Sequence, residues 1–218
     1  MSEETAAASL QDDDRGARVQ HVASAELPTE HGPFALHAYR DMRTGAEHVA
    51  LTVPTPDGAI PLVRVHSECL TGDALGSLRC DCGPQLRAAL GQVQAQGGAV
   101  IYLSGHEGRG IGIAAKVAAY HLQDEGRNTV EANVDLGLPV DTRDYAAAAA
   151  ILHHLELPVV RLLTNNPDKV RGLKAAGIEV VDRTALSVGR RIENAFYLET
   201  KRILLGHNFG PEEPKEQI

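Results

Sequence analysis

Apolar residues along this chain fall into short blocks with two different spacings. HVALTVPT and IPLVRVH flank the turn signal PDGA, which predicts a β-hairpin near the N-terminus. In GPQLRAALGQVQAQ, Leu86, Leu90 and Val93 recur at helical spacing, and Gly97-Gly98 stops the pattern. AVIYL reads as a short buried strand, followed by a glycine-rich loop and the helical stretch IAAKVAAYHLQDE. An alanine-rich helix is expected from Asp144 to Leu155, with no role assigned to its His153 and His154. VVRLLT is a further strand, Asn166-Pro167 opens a helix that ends near Gly177, IEVVD is the next strand, and NAFYLETKRILLG is the last helix. A hairpin followed by strand–helix alternation predicts an α/β (α+β) domain, a mixed β-sheet flanked by helices.

The ends lack this order. Residues 1–20 are rich in Asp and Ala without periodicity and read as an acidic tail, and 209–218 as a second one, leaving 21–208 as the domain. The N-terminus has neither a basic start nor an apolar run, so no secretory signal is expected. No stretch approaches the ~20 apolar residues of a membrane span. A cytoplasmic location with no membrane partner is the expectation.

Charge narrows the partners. The net charge of −8, from 29 acidic and 21 basic residues, argues against binding long nucleic acid, which wants a broad basic face. A small anionic ligand is still compatible, because a few convergent Arg and Lys can make a local positive pocket.

Cys69, Cys80 and Cys82 are the only cysteines, and all three fall in the run His66-Ser67-Glu68-Cys69 to Arg79-Cys80-Asp81-Cys82-Gly83. An odd number makes a disulfide framework unexpected. Three thiolates at ~2.3 Å from zinc would leave the fourth tetrahedral position open, as a catalytic site requires. The competing readings are a closed structural zinc with His66 as fourth ligand, or three buried cysteines that never meet. The C-x-C cluster among charged residues is a poor core pattern, which favours zinc. His66-x-Glu68 is reminiscent of zinc deaminases, but their Pro-Cys-x-x-Cys half is absent.

Two loops could hold an anion. Ser104-Gly105-His106-Glu107-Gly108-Arg109-Gly110-Ile111-Gly112 precedes a helix and matches neither the dinucleotide fingerprint nor the P-loop spacing. Thr164-Asn165-Asn166-Pro167-Asp168-Lys169 repeats the arrangement, although capping alone accounts for it. Asp141-Thr142-Arg143-Asp144 by itself reads as a solvated helix start.

Together, RVHSECLTGDALGSLRCDCG, YLSGHEGRGIGI, AYHLQDEGRNTVEANVDLG, DTRDY, LLTNNPDKV and VGRRIEN resemble GTP cyclohydrolase II, from about Val22 to Asn208. The resemblance implies that family's fold, with a zinc-binding loop. It implies hydrolysis of GTP to 2,5-diamino-6-ribosylamino-4(3H)-pyrimidinone 5′-phosphate, formate and diphosphate, the first step of riboflavin biosynthesis. Zn²⁺ (one per subunit), Mg²⁺ with the triphosphate and a homodimer are implied too. Cys69, Cys80 and Cys82 become the zinc ligands. Arg64, Val65, His66, Ser67, Glu68, Gln85, Glu107, Gly108, Arg109, Thr129, Thr164 and Lys169 fall where the family contacts GTP. Asp141 falls on the proton acceptor, Arg143 on the nucleophile towards the α-phosphate, and Tyr120 on a tyrosine tied to ring opening. An arginine with a pKa above ~12 is a poor nucleophile, and charge stabilisation suits it better.

Ser104 stands where many relatives carry arginine and His106 where glutamine is common, which bears on substrate affinity. No second domain such as a dihydroxybutanone phosphate synthase is expected. The alternatives are a member that stops at the formamide or serves a secondary pathway, and a zinc-stapled nucleotide-binding module.

Overall fold

In the computed structural model of the protein, residues 18–210 are described. Residues 1–17 and 211–218, most of the two expected tails, lie outside them. One seven-stranded sheet runs through the molecule in the order β1-β2-β3-β5-β4-β6-β7. Its strands are β1 Val19–Thr29, β2 Gly32–Asp41, β3 Glu47–Val53, β4 Leu62–Ser67, β5 Gly98–Leu103, β6 Val159–Leu163 and β7 Glu179–Thr184. The first four in that spatial order pair antiparallel and the last four parallel, so the sheet is mixed, as the block pattern implies.

An N-terminal hairpin is present, and β1 and β2 form it. The two strands that flank PDGA are β3 and β4, and they do not pair with each other. β5 lies between them, antiparallel to β3 and parallel to β4. The reason is burial. GAVIYL is buried at every position except Tyr102. A strand covered on both faces belongs inside the sheet, so β5 displaces the local pairing. β1, by contrast, is a largely exposed edge strand whose polar residues gave no periodic signal. It begins at Val19, packed in the core, so the last residues of the expected tail are ordered.

Alternation along the strands builds two cores. Val63 and Val65 of β4 and Ala99, Ile101 and Leu103 of β5 face α5 (Ala146–His154) and α6 (Pro167–Ala175). Leu62, Val100 and Leu163 face α2 (Cys82–Gln96), through Ala89 and Val93. Each fully buried Ile or Leu contributes about 1.5–3 kcal/mol, and the two layers together clamp the sheet. The expected helices all form, as 82–96, 113–124, 146–154, 167–175 and 195–204. Two more were not expected: α1 (Leu70–Asp73), a single turn, and α4 (Thr129–Asp135). The latter carries a legible capping box, Asn128 with Glu131.

Period two also places the chemistry. Arg64 and His66 lie on the same face of β4 as Leu62, beyond it towards the carboxyl end. β4 is the strand about which the order reverses: the chain leaves it for β5 on one side and returns to β6 on the other. Crevices at the carboxyl ends of parallel strands beside such a reversal are where open α/β sheets bind ligands.

Candidate metal centre and active site

The loop after β4 brings the three cysteines together. Cys69 precedes α1, the chain turns back through Ser77, and Cys80 and Cys82 flank Asp81 at the start of α2. The Cys69 and Cys80 sulfurs are 3.7 Å apart, and all three sulfurs lie within 4.8 Å of one another. Sulfurs at ~2.3 Å from a tetrahedral zinc are about 3.8 Å apart, so the spacing fits. Two glycines make the approach possible. A Cβ on Gly72 would sit 2.7 Å from the Cys80 sulfur and 3.2 Å from that of Cys69. One on Gly83 would sit 2.1 Å from the Gly72 carbonyl oxygen.

Among the described residues, no histidine or carboxylate joins this group as a fourth ligand. His66, the candidate for that place, is turned elsewhere. Its Nε2 lies 3.1 Å from both Asp73 oxygens, which also accept from the Cys69 amide and the Tyr102 hydroxyl. Three protein ligands with an open position are therefore what the site offers.

The thiols share their charge unequally. Hydrogen bonds from Cys80 and Cys82 and the nearby ammonium of Lys116 lower the pKa of Cys69 far below the thiol range. The same bonds to the Cys69 sulfur raise Cys80 and Cys82. Lys116, on α3 (Ile113–Asp124), donates to the Cys69 sulfur at 3.2 Å, to Thr71 Oγ1 at 2.8 Å and to Glu107 Oε1 at 2.5 Å. Burial opposes its charge, yet Glu107 and the sulfur hold its pKa above the usual lysine range.

Around the metal loop, the cleft is walled by the carboxyl ends of three parallel strands. From β4 come Arg64, His66, Ser67 and Glu68. After β5, a short 3-10 turn Glu107–Arg109 supplies Gly108 and Arg109. After β6 come Thr164 and Lys169, the latter donating to the Val65 carbonyl at 2.8 Å. Tyr120, Thr129, Gln85 and Arg143 line it as well. Three implied site residues do not line it. Val65 points its side chain into the core. Glu107 is spent on Lys116 and on the Leu70 amide, at 2.6 Å, which ties the glycine-rich loop to the metal loop. Asp141 sits behind Arg143 in a paired contact, with Arg143 Nη2 2.5 Å from Asp141 Oδ2. Burial alone would raise the Asp141 carboxyl, but Arg143 pulls it below the ordinary range, and Arg143 is raised in turn.

The cleft presents polar atoms that the protein itself leaves without partners. Among the described residues, eight buried side-chain polar atoms have no hydrogen-bond partner, and four lie here: Arg64 Nε, His66 Nδ1 and both Nη atoms of Arg109. Leaving such a group unpaired costs about 1–3 kcal/mol, more for a charged one. The Arg64 and Arg109 donors are suited to an acceptor, and His66 Nδ1, whose Nε2 donates to Asp73, is suited to a donor. Arg109 has φ of +66°, a left-handed conformation that strains a non-glycine residue. Its carbonyl, accepting from Thr142, holds it there. The imidazole of His106, 3.2 Å from Ser67 Oγ, is pushed down to about 4 by burial and by Arg143 and Lys169. Despite the chain's negative net charge, the cleft is locally rich in cations.

Comparison with known proteins identifies the family. The family model described as GTP cyclohydrolase II matches residues 20–185. A protein named GTP cyclohydrolase-2 from Neisseria meningitidis (strain FAM18) is 55% identical over 190 residues, covering 87% of this chain and 96% of that one. The chain belongs to the GTP cyclohydrolase II family. A riboflavin biosynthesis protein RibBA from Salinispora arenicola is 57% identical over 87% of this chain, which spans 46% of that longer protein. A solved structure of RibBX, a two-domain 3,4-dihydroxy-2-butanone 4-phosphate synthase from A. baumannii, overlaps at TM-score 0.43 and 20% identity, covering 78% of this chain and 41% of that one. That likeness is too weak to bear on the site.

The residues that the resemblance implied do not make up the whole wall of the cleft. Lys116, Tyr197, Lys201 and His207 also line it. Lys116 was within reach of the sequence, since it sits one helical turn before Tyr120 on the same face. The other three carried no local signal. No helix among the described residues is long and apolar enough to cross a membrane.

Proposed function

We propose that the chain is a zinc-dependent GTP cyclohydrolase II that opens the guanine imidazole ring. Its products are the diaminopyrimidinone ribosyl phosphate, formate and diphosphate, as the first step of riboflavin biosynthesis. The observation that carries the reading is the juxtaposition of a three-thiol cluster with buried, unpartnered donors of Arg64 and Arg109 in one cleft. A zinc on three thiolates keeps a position open and supplies a Lewis acid that makes water nucleophilic near pH ~7.

The chain's own groups do the rest. Arg64 Nε and His66 Nδ1, close to the metal loop, orient the purine. Arg109, Lys169 and Arg143 gather the negative charge of the triphosphate, with Mg²⁺ accompanying it. Thr129 and Thr164 offer hydroxyls along the wall, and the Gly108 backbone permits close approach. The pairing of Arg143 with Asp141 keeps the guanidinium charged and oriented. That supports Arg143 as a stabiliser of charge at the α-phosphate, with Asp141 positioning it. Tyr120 Oη lies 3.4 Å from Thr71 Oγ1 beside the cysteines, and burial raises its pKa. Its phenol therefore keeps its proton and can donate to the leaving nitrogen.

The enzyme works in the cytoplasm as a homodimer with one zinc per subunit, as the family resemblance suggests, and takes no nucleic acid. Incubating zinc-loaded protein with GTP and Mg²⁺ and identifying products by mass spectrometry tests this. Formate, diphosphate and the pyrimidinone together support it. A formamide end product restricts the enzyme to ring opening, and unchanged GTP with folded, zinc-loaded protein defeats it.

A further inference from the structure

The chain beyond residue 185 lies outside the stretch matched by the family model, and every implied site residue precedes it. It nonetheless closes one side of the cleft. Helix α7, Ala195–Leu204, buries Lys201, whose ammonium reaches the metal loop. Lys201 Nζ is 2.8 Å from Asp81 Oδ1 and 4.3 Å from the centre of the Tyr197 ring. Asp81, between two of the three cysteines, is 1% exposed. Its other oxygen accepts from Gln85 Nε2 at 2.6 Å. Gln85 Oε1 in turn accepts from Arg64 Nη2 at 2.6 Å, and Arg64 Nη1 donates to the Leu163 carbonyl at 3.0 Å.

The direction of this chain of bonds is determined by its two ends. An ammonium meets a carboxylate, the carboxylate takes the amide NH₂, and the amide oxygen is left for the guanidinium. Reversing the amide would set like poles together at both contacts. Each Nη group thus has a protein partner, and the Arg64 nitrogen left with none is the buried Nε.

We propose that Lys201 is a positioning residue of the nucleotide pocket: through Asp81 and Gln85 it sets the direction in which Arg64 faces the substrate. This rests on the reading of the cleft as a GTP site. Without the ammonium, Asp81 is a buried carboxylate linked through Gln85 to the Arg64 guanidinium, whose charge it feels. It then draws the guanidinium off the Leu163 carbonyl and turns Nε away from the cleft. The segment that carries α7 has contacts besides the ion pair. Asn194 holds the Gly189 carbonyl at 2.7 Å, and the Asn208 amide donates to the Asn165 carbonyl at 2.9 Å.

The test is steady-state kinetics with GTP, together with zinc content, for wild type, Lys201→Met, Lys201→Arg and the double variant Asp81→Asn/Lys201→Met. In Lys201→Met, KM rises about tenfold or more while kcat stays within about threefold and zinc remains stoichiometric. Lys201→Arg recovers most of the KM. The double variant, which removes the competing carboxylate but keeps an acceptor for Gln85, also recovers it, and serves alone if Lys201→Met does not fold. An unchanged KM in Lys201→Met, or a double variant no better than it, overturns the proposal. So does a joint fall of kcat and zinc content at constant KM, which is the signature of damage to the metal loop. Folded, zinc-loaded wild type that neither binds nor turns over GTP overturns the reading of the cleft, and the proposal with it.

Discussion

Replacing Gly72 by alanine adds one methyl group where three cysteines converge. The new Cβ would lie 2.7 Å from the Cys80 sulfur, 3.0 Å from Cys82 Cβ and 3.2 Å from the Cys69 sulfur, all closer than ordinary van der Waals contact. In metal-free protein a thiol can rotate aside, and the cost is modest. With zinc bound, each sulfur is held ~2.3 Å from the metal and none can give way. The strain therefore falls mainly on the metal-bound state. Overpacking of this kind costs about 1–3 kcal/mol, which corresponds to roughly 5- to 150-fold weaker zinc binding. Competition with a chromophoric chelator measures the affinity, and thermal unfolding with and without zinc measures how the cost divides. The expected pattern is a lower zinc affinity and a larger fall in Tm for the zinc form than for the metal-free form. Equal zinc affinity in Gly72→Ala and wild type would show that the cysteines do not converge as described.

Four further outcomes follow from named contacts. Lys116→Met removes the ammonium beside the Cys69 sulfur and leaves Glu107 buried without its cation. Zinc affinity and Tm should both fall, the latter reflecting about 3–5 kcal/mol, and chelator competition with calorimetry would reveal either being unchanged. Arg143→Ala should slow diphosphate release by about 10²–10³-fold, measured with a coupled phosphate assay; release at the wild-type rate would remove Arg143 from that step. Tyr120→Phe should accumulate the formamide, read by mass spectrometry, and full deformylation at the wild-type rate would leave the phenol without a role. Finally, the pKa of His106 is about 4 in the folded protein, against 6.5 ordinarily. The unfolded chain therefore binds more protons between those values, and stability falls as pH drops from about 6.5 to 4. Urea unfolding of metal-free protein across that window should show a shallower loss in His106→Gln, and an identical slope would contradict the assignment.

How much of this was legible beforehand depended on range. The helices over α2, α3, α5, α6 and α7 were readable because helical periodicity and its stop signals are local, as Gly97 after α2 and Pro167 opening α6 illustrate. The cysteine cluster was readable because its three members lie close in sequence and have few other uses there. Pairing was not. PDGA is a valid turn signal, but whether β3 and β4 join or admit β5 between them depends on which strand is buried on both faces. That is a property of the whole sheet.

The same division runs through the site. Residue types and spacing by themselves favoured a metal on three thiols and offered a glycine-rich loop as an anion site, and the family resemblance brought in the capped helix and named the contacts. Only the tertiary structure decided that Glu107 staples two loops together instead of lining the cleft, and that Asp141 stands behind Arg143. It alone brought Lys201 to Asp81 across 120 residues of chain. Hydrogen bonds and ion pairs act over a few ångströms, and a sequence records separations along the chain. Contacts between distant segments exist only once hydrophobic burial has folded the sheet and laid its helices across it.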